Sequence, residues 1–444
     1  MLISFSVENF KNFNESQKFS MIANNEIDSH PTHLFKEDIG ILQHATIFGA
    51  NGAGKTNLID AMSMVQTILL GGIPPKARNQ FCRTFPENGD RATKFEFEIL
   101  KNNKFYAYGF AVNLKRRKIL SEWVYELIPE GGSQKMLFER ELFEERVDLG
   151  ILAELSEQEK HQFSTYKSDF GLNAGKLFLS EMNQDKHLDY DSALIFFCEI
   201  YEWFRDNLNI IYPNESISLV HFHDELDLKR INQLIQLFDT GISKVSFVEI
   251  PLMDFKNKIS DHDYEQRIRK LEDNPKMSGM ILRINGDIFN LEKGSDENVV
   301  VKSVQSKHYN SESTYEFAEE SNGTRRLFEL FEIILQKDEN KVFVIDEIDR
   351  SLHTNLLVKF LKLFTESLEE QSRQLIFTTH EPRIIDDQLL RRDEIWFVDR
   401  TAENRSWIYS LDQFEDIHNE LPKDSYLLGR YGATPLLDGM RGVI

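Results

Sequence analysis

Disulfide bonding has almost nothing to work with in this chain. Cys82 and Cys198 are the only cysteines in 444 residues, too few for a disulfide framework or a cysteine-ligated zinc site. Long apolar runs are missing as well. Leu194 to Phe197 is among the longest uncharged apolar stretches, far short of the roughly 20 residues that a bilayer-crossing helix needs. The opening Met1-Leu2-Ile3-Ser4-Phe5 has neither the basic start nor the apolar core of a signal peptide. These absences make the cytoplasm the default compartment. A basic excess is also lacking: 52 lysines and arginines face 73 acids, for a net charge of −21. That argues against indiscriminate coating of DNA, while leaving room for a local basic groove. The acidity reads first as a solubility feature. No apolar heptad persists for four repeats, so no long coiled coil is expected. What is present, a hydrophobic content of 41%, suits two or three domain-sized units or one large α/β domain carrying insertions.

The most informative stretch is Gly49-Ala50-Asn51-Gly52-Ala53-Gly54-Lys55-Thr56-Asn57, which reads G-x-x-x-x-G-K-T. A β-prone run, Ala45-Thr46-Ile47-Phe48, precedes it, and Leu58, Ala61, Met62, Val65, Ile68 and Leu69 follow at helical spacing. Strand, glycine loop and helix thus come in the order a phosphate-binding P-loop requires. Gly49, Gly52 and Gly54 let the backbone curl so that consecutive N–H groups face the phosphates at a helix N-terminus. Lys55 is expected to reach the β- and γ-phosphates and Thr56 to hold Mg²⁺, with Asn51 and Asn57 as further nucleotide contacts. ATP and Mg²⁺ are the expected ligands.

Residues 1–13 alternate apolar and polar as an opening strand does. From Lys94 to Leu127 alternating runs separated by Asn102-Asn103 and by Lys115-Arg116-Arg117-Lys118 predict an antiparallel sheet. Residues 150 to 275 read as largely helical: one amphipathic run carries Leu194, Phe197, Cys198, Tyr201 and Phe204, another Leu226, Ile231, Leu234, Ile235 and Phe238. Two clusters there, His221-Phe222-His223-Asp224 and Asp261-His262-Asp263, have metal-ligating side chains. Without further ligands at fixed spacing they read as polar surface. Asn285-Gly286 predicts a hairpin turn, and Ser303 to Thr314 a polar loop.

Three further motifs follow at close spacing. In Glu320-Ser321-Asn322-Gly323-Thr324-Arg325-Arg326-Leu327 the serine and glycine stand at the start of a helix that continues through Leu330, Phe331, Ile334 and Leu335. Taken alone this is an ordinary helix cap. Lys341-Val342-Phe343-Val344-Ile345-Asp346-Glu347 is apolar without alternation, as in a strand buried on both faces of a parallel sheet. It ends in two carboxylates, where α/β proteins place their ligands. Asp346 is the expected Mg²⁺-shell acid and Glu347 the group that polarises the attacking water. Gln374-Leu375-Ile376-Phe377-Thr378-Thr379-His380 is a second buried strand, ending in a histidine able to sense a γ-phosphate by hydrogen bond.

The order P-loop, S-x-G, acid-ended strand and histidine resembles the head of ABC-type ATPases. The opening Asn9-Phe10-Lys11-Asn12-Phe13 is similar to the N-F-K/R-x-F start of the SMC, RecF and RecN group. The resemblance implies an α/β ABC-type head, a P-loop parallel core with an antiparallel β subdomain, carrying a compact helical insertion. It implies the divisions 1–150, 151–275 and 276–444, the outer two forming the head. It makes Ser321 and Gly323 the signature residues that cap ATP held by a second head, so that hydrolysis is slow and waits on a homodimer or higher homo-oligomer. It makes Lys11 a secondary nucleotide contact, against the plainer reading of a solvated lysine. Together with Tyr426-Leu427-Leu428-Gly429-Arg430-Tyr431-Gly432-Ala433, the motifs look like a bacterial AAA branch that accompanies anti-phage and abortive-infection systems, including OLD proteins and the ATPase of the PARIS system. Two features depart from transporter-type heads: His353 replaces the usual D-loop aspartate, and no convincing Q-loop glutamine is found.

Too few residues follow His380 for the nuclease domain of OLD proteins. The expectation is therefore an ATPase that senses infection and scaffolds a separately encoded toxin or nuclease. The chief rival is a RecF/SMC-like DNA-repair ATPase, with Arg325, Arg326, Arg391, Arg392 and the 115–118 turn as a basic track. A transporter ATPase, which needs a membrane partner, fits least.

Overall fold

The computed structural model describes residues 1–435 apart from 130–131, 185–187, 190, 216, 218–221, 223–224, 275–276, 295–297, 369–370 and 415–420. The chain forms two compact units, one of residues 1–213, 338–348 and 368–444, the other of residues 214–337 and 349–367. Among the described residues no helix is long and apolar enough to cross a membrane.

The first unit is α/β and carries the P-loop. Its main sheet runs Leu208–Ile211, Val342–Ile345, Gln374–Thr378, His44–Phe48, Ile395–Arg400, all parallel, with Ser406–Ser410 added antiparallel at the edge. The P-loop strand His44–Phe48, the acid strand Val342–Ile345 and the switch strand Gln374–Thr378 are buried at every position. This is why Val342–Ile345 reads as an unbroken apolar run and Leu375–Phe377 as another, without the alternation of a half-exposed strand. Because they are parallel neighbours, the segments after Phe48, Ile345 and Thr378 emerge at one C-terminal edge of the sheet.

Beside this core is an antiparallel sheet of seven strands, in the order Arg146–Leu149, Ser133–Glu141, Lys118–Ile128, Lys104–Asn113, Thr93–Lys101, Leu2–Glu8, Gln17–Ser20. The sheet expected from Lys94 to Leu127 is its centre. Asn102 and Asn103 make their turn in the left-handed region, with φ of 50° and 60°, which asparagine tolerates better than most residues. The P-loop helix, Lys55–Gly71, buries Leu58, Met62, Val65 and Leu69 in a cluster that also holds Phe5, Phe97 and Trp203. Each such aliphatic or phenyl side chain contributes about 1.5–3 kcal/mol when fully buried. That apolar face fixes how the helix packs, while Gly54, at a φ of 122°, marks where it begins. A buried ion pair adds a polar anchor: Arg140 and Glu122 meet at 2.8 Å with both side chains fully enclosed. The Glu122 carboxylate also accepts from the backbone N–H groups of Phe178 and Leu179 at 2.7 and 3.0 Å.

The stretch 150–275 is more mixed than its helical reading. It contains helices such as Glu157–Phe170 and Asp261–Glu272, but Leu208–Ile211 joins the parallel sheet beside the acid strand, and Ile242–Ile250 enters a sheet of the second unit. A four-residue strand is too short to display a period, so neighbouring helical signals masked it. On the helix Glu225–Ile235 the buried face is Leu228, Ile231 and Ile235. Leu226, placed on that face by its sequence spacing, is 58% exposed.

The second unit holds a five-stranded antiparallel sheet, Ile242–Ile250, Val299–His308, Asp287–Lys293 and Gly279–Ile284 in order, with Thr314–Glu316 pairing Val299–His308. The Asn285-Gly286 turn forms as expected, with φ of 53° and 94°. The loop expected from Ser303 onward is corrected in its first part: the strand continues to His308, paired with Ile242–Ile250 on one side and, over Gln305–Lys307, with Thr314–Glu316 on the other. Its polar Ser303 and Ser306 are buried, Ser306 donating to Glu320. Polar composition misled here because central pairing, not apolarity, holds the segment. Asp261, His262 and Asp263 open their helix as exposed residues behind the Ser260 cap. His221, His223 and Asp224 lie outside the described residues. Among the described residues no group of three or more His, Cys, Asp or Glu side chains could hold a metal ion.

Candidate active site

The P-loop is shaped by what presses on it. Gly52 and Gly54 have φ of 75° and 122°, values that side chains with a Cβ avoid. A Cβ on Gly54 would stand 2.6 Å from Ser406 Oγ and 2.8 Å from Asn12 Nδ2, and one on Gly49 would stand 2.4 Å from the Val398 carbonyl oxygen. Glycine is thus required at these places by close packing as well as by backbone curl. Lys55 is buried, and its ammonium donates to the Gly49 carbonyl at 2.7 Å. The loop therefore closes around a positive charge. Asn51, Gly52 and Thr56 are exposed. Asn57 faces inward and donates to Asn12 Oδ1 at 2.5 Å, tying the loop to the Asn9–Phe13 opening.

Asp346 is 2% exposed and each of its oxygens is engaged. Oδ2 accepts from the Thr56 hydroxyl at 2.8 Å, and Oδ1 from the Thr378 hydroxyl at 2.6 Å. Thr378 Oγ1 in turn accepts from the Glu347 N–H at 2.8 Å, and the Thr378 carbonyl from the Ile348 N–H at 3.1 Å. These bonds hold Glu347, half-buried, at a φ of 50°. A non-glycine residue there costs about 1–3 kcal/mol, the kind of strain that collects at functional sites. His380 is exposed immediately after the switch strand. The sheet therefore brings Lys55, Thr56, Asp346, Glu347 and His380 to one edge.

Lys11 pairs with Asp60, four residues after Thr56 on the P-loop helix. Tyr212 donates to the other Asp60 oxygen at 2.7 Å, and burial pushes that phenol's pKa up. The Lys11 charge is next to the loop but is matched by a carboxylate.

The donor set fits a magnesium nucleotide. A threonine hydroxyl and a buried carboxylate within 2.8 Å of each other are the hard oxygen ligands Mg²⁺ prefers. The loop adds N–H groups and the Lys55 ammonium for phosphate.

In the second unit Ser321 caps the helix Asn322–Leu335, its Oγ accepting from the Thr324 N–H at 3.1 Å. Gly323 lies against the turn after the acid strand: a Cβ there would stand 2.5 Å from the Ser351 carbonyl oxygen. His353 caps the helix Thr354–Glu366, its Nδ1 accepting from the Asn355 N–H at 3.2 Å. The basic track named for the rival reading is depleted. Arg326 is buried against Glu329 at 3.1 Å, and Arg391 is buried between Asp393 and the carbonyls of Ile27 and Ser29.

Sequence reasoning passed over Thr378, Asn12, Ser406 and Asp60. Thr378 had a signal, a hydroxyl interrupting an apolar strand at its C-terminal end. Asn12 had a weaker one, a second asparagine in the opening motif. Ser406 and Asp60 had none, because their roles depend on long-range neighbours.

Against this geometry, the profile of the family described as "AAA domain, putative AbiEii toxin, Type IV TA system" matches residues 45–386. No curated protein sequence matches the chain. Among solved structures, the chain is similar to an SMC head bound to the C-winged helix domain of ScpA, with 15% identity, 92% of this chain and 98% of that chain covered, and a TM-score of 0.40. It is also similar to the SMC head domain from Thermotoga maritima, with 12% identity, the same coverages and a TM-score of 0.36. Both are too distant to assign a function.

Proposed function

The chain belongs to the family of AAA domains described as putative AbiEii toxins of type IV toxin–antitoxin systems, and from that premise we propose that it is an ATPase acting as the sensor and scaffold of a bacterial anti-phage system. The observation that carries the ATPase reading is the Thr56–Asp346 hydrogen bond at 2.8 Å. It joins the P-loop to the acid strand through the two groups that share a magnesium shell in P-loop enzymes.

In this reading Lys55 offers its charge to the β- and γ-phosphates, and the loop N–H groups fix the triphosphate in place. Thr56 and Asp346 would hold a magnesium ion, which when bound would supply neutralisation of the charge developing on the phosphate oxygens. Glu347 accepts a hydrogen bond from the attacking water and orients it, and its fixed backbone means little reorganisation at the moment of reaction. His380 hydrogen-bonds the γ-phosphate. Ser321 and Gly323 cap the nucleotide of a second copy of the chain, so turnover is slow until two heads associate. ATP-driven association is then the switch that holds or releases a separately encoded toxin or nuclease. The toxin–antitoxin description of the family supports a protein partner.

The test is steady-state ATP turnover of the purified chain, with and without duplex DNA, beside Glu347→Gln. We expect slow turnover, indifferent to DNA and lower by about 10²- to 10⁴-fold in the variant. Strong DNA stimulation would instead favour the RecF/SMC-like repair reading. For the effector, the tagged chain co-expressed with its neighbouring gene product should recover that product in an ATP-dependent way. Toxicity of the chain expressed alone would move the effector role onto this protein.

A further inference from the structure

We propose that Arg400 is a further nucleotide-contacting residue, its guanidinium binding the phosphate chain that the P-loop holds; this deepens, and rests on, the nucleotide-binding reading above.

Arg400 ends the strand Ile395–Arg400, whose partner Ser406–Ser410 returns antiparallel with Arg400 opposite Ser406. Directly opposed residues in an antiparallel pair project from the same face. Ser406 fixes which face that is, since its hydroxyl donates to the Ala53 carbonyl inside the P-loop. Arg400 obeys the same geometry: its Nη1 is 3.9 Å from the position a Cβ on Gly52 would take. The Val398 carbonyl against Gly49 shows the strand running flush along the loop.

The strand end is braced from behind. Asp399 Oδ2 accepts from the Ala433 N–H at 2.9 Å, and Phe397 stacks on Tyr426 and Tyr431 with ring centroids 5.5 and 5.8 Å away. The 426–433 segment thus stiffens the hairpin and presents Arg400 to the loop.

Charge supplies the second argument. The neighbouring cations are matched: Arg405 binds Glu15 at 2.7 Å and Glu403 at 3.4 Å, and Lys11 binds Asp60. Arg400 is exposed; its backbone N–H donates to Asp399 Oδ1 at 2.7 Å, and among the described residues no carboxylate forms an ion pair with its guanidinium. It stands beside the loop that leads into the N-terminus of the helix Lys55–Gly71, whose positive end favours an anion. A guanidinium can bind phosphate oxygens through two parallel N–H bonds, which a lysine cannot.

The experiment is equilibrium binding of ATP, ADP and AMP to the full chain, by calorimetry, for the wild type, Arg400→Gln and Arg400→Lys. Arg400→Gln should weaken ATP and ADP roughly 10- to 100-fold, AMP less, and leave the melting temperature without nucleotide unchanged. Arg400→Lys should recover part of the loss. A wild type that binds ATP beside an Arg400→Gln protein that binds it equally well would overturn this assignment alone. Equal losses for AMP and ATP would overturn the phosphate contact, pointing to the base or ribose. A wild type that binds no ATP would overturn the nucleotide-binding reading itself, and this assignment with it.

Discussion

Thr56 and Asp346, 290 positions apart in the chain, share a hydrogen bond of 2.8 Å, and Thr378 holds the second Asp346 oxygen at 2.6 Å. The buried carboxylate is therefore aimed by two hydroxyls, one from the P-loop helix and one from the switch strand. Groups that orient a metal-binding carboxylate are typically worth about 10- to 100-fold in metal affinity or activity. Thr378→Val removes one of them and also leaves the Glu347 N–H without its acceptor. The expected result is a turnover drop of about that size with a raised magnesium requirement. Thr378→Ser should behave nearly as the wild type. A magnesium titration of ATPase activity across the three proteins reads both effects.

The same site separates binding from chemistry. Lys55→Ala removes a buried cation that closes the loop onto the Gly49 carbonyl, so nucleotide binding and turnover should both be lost. Glu347→Gln keeps the shape and the backbone bonds to Thr378 and should bind ATP while hydrolysing it about 10²- to 10⁴-fold more slowly, the usual worth of a positioned general base. Its ATP-bound form should accumulate as a dimer. Calorimetry and light scattering on both variants check this pair, and normal hydrolysis by Glu347→Gln would remove that residue from its assigned role.

Much of this site was legible in the chain because its signals are local. Glycine spacing, a lysine and threonine at a helix start, and acids ending an unbroken apolar strand each follow from what a few neighbouring residues must do. The α/β core and the antiparallel sheet were legible for the same reason. What stayed hidden depends on distant partners. Leu208–Ile211 has too few residues to show a period, and Val299–His308 is held by strands on both sides although it is rich in polar residues. Asn12 and Ser406 become meaningful only when the opening segment and the C-terminal hairpin meet the P-loop. Arg326 and Arg391 looked like free cations in sequence and are buried partners of acids.

Gly323 offers a prediction about the second unit. Its Cα faces the Ser351 carbonyl so closely that an added Cβ would lie 2.5 Å from the oxygen. Gly323→Ala should therefore shift the turn that follows the acid strand, at a cost of about 1–3 kcal/mol, the range for overpacking a tight site. Ser321→Ala should cost only about 1 kcal/mol, the worth of its helix cap. If Ser321 also caps a nucleotide across a dimer, its loss of turnover will far exceed what that destabilisation explains. Urea denaturation and ATPase assays on the two variants decide between cap and contact.

A last prediction concerns pH. His44, at the start of the P-loop strand, is 1% exposed, and burial, reinforced by His33 and His30, holds its pKa well below 6.5. Its ring is 4.7 Å from that of His33, which is 4.8 Å from His30 and hydrogen-bonds Glu394 at 2.9 Å. His44 is neutral in the fold, whereas in the unfolded chain it titrates near 6.5. Below that pH the unfolded state binds the proton more readily. The stability His44 contributes is thus present above pH 6.5 and is lost as the pH falls, at up to about 1.4 kcal/mol per pH unit. Glu394 acts in the opposite sense. Burial raises its pKa, so the folded state takes up that proton more readily and regains stability as the pH drops toward the ordinary carboxylate range. The comparison of wild type with His44→Gln isolates the histidine, because Glu394 is common to both. Urea midpoints at pH 7.5, 6.5 and 5.5 should fall more steeply for the wild type. Equal slopes would show that His44 takes up its proton as easily folded as unfolded.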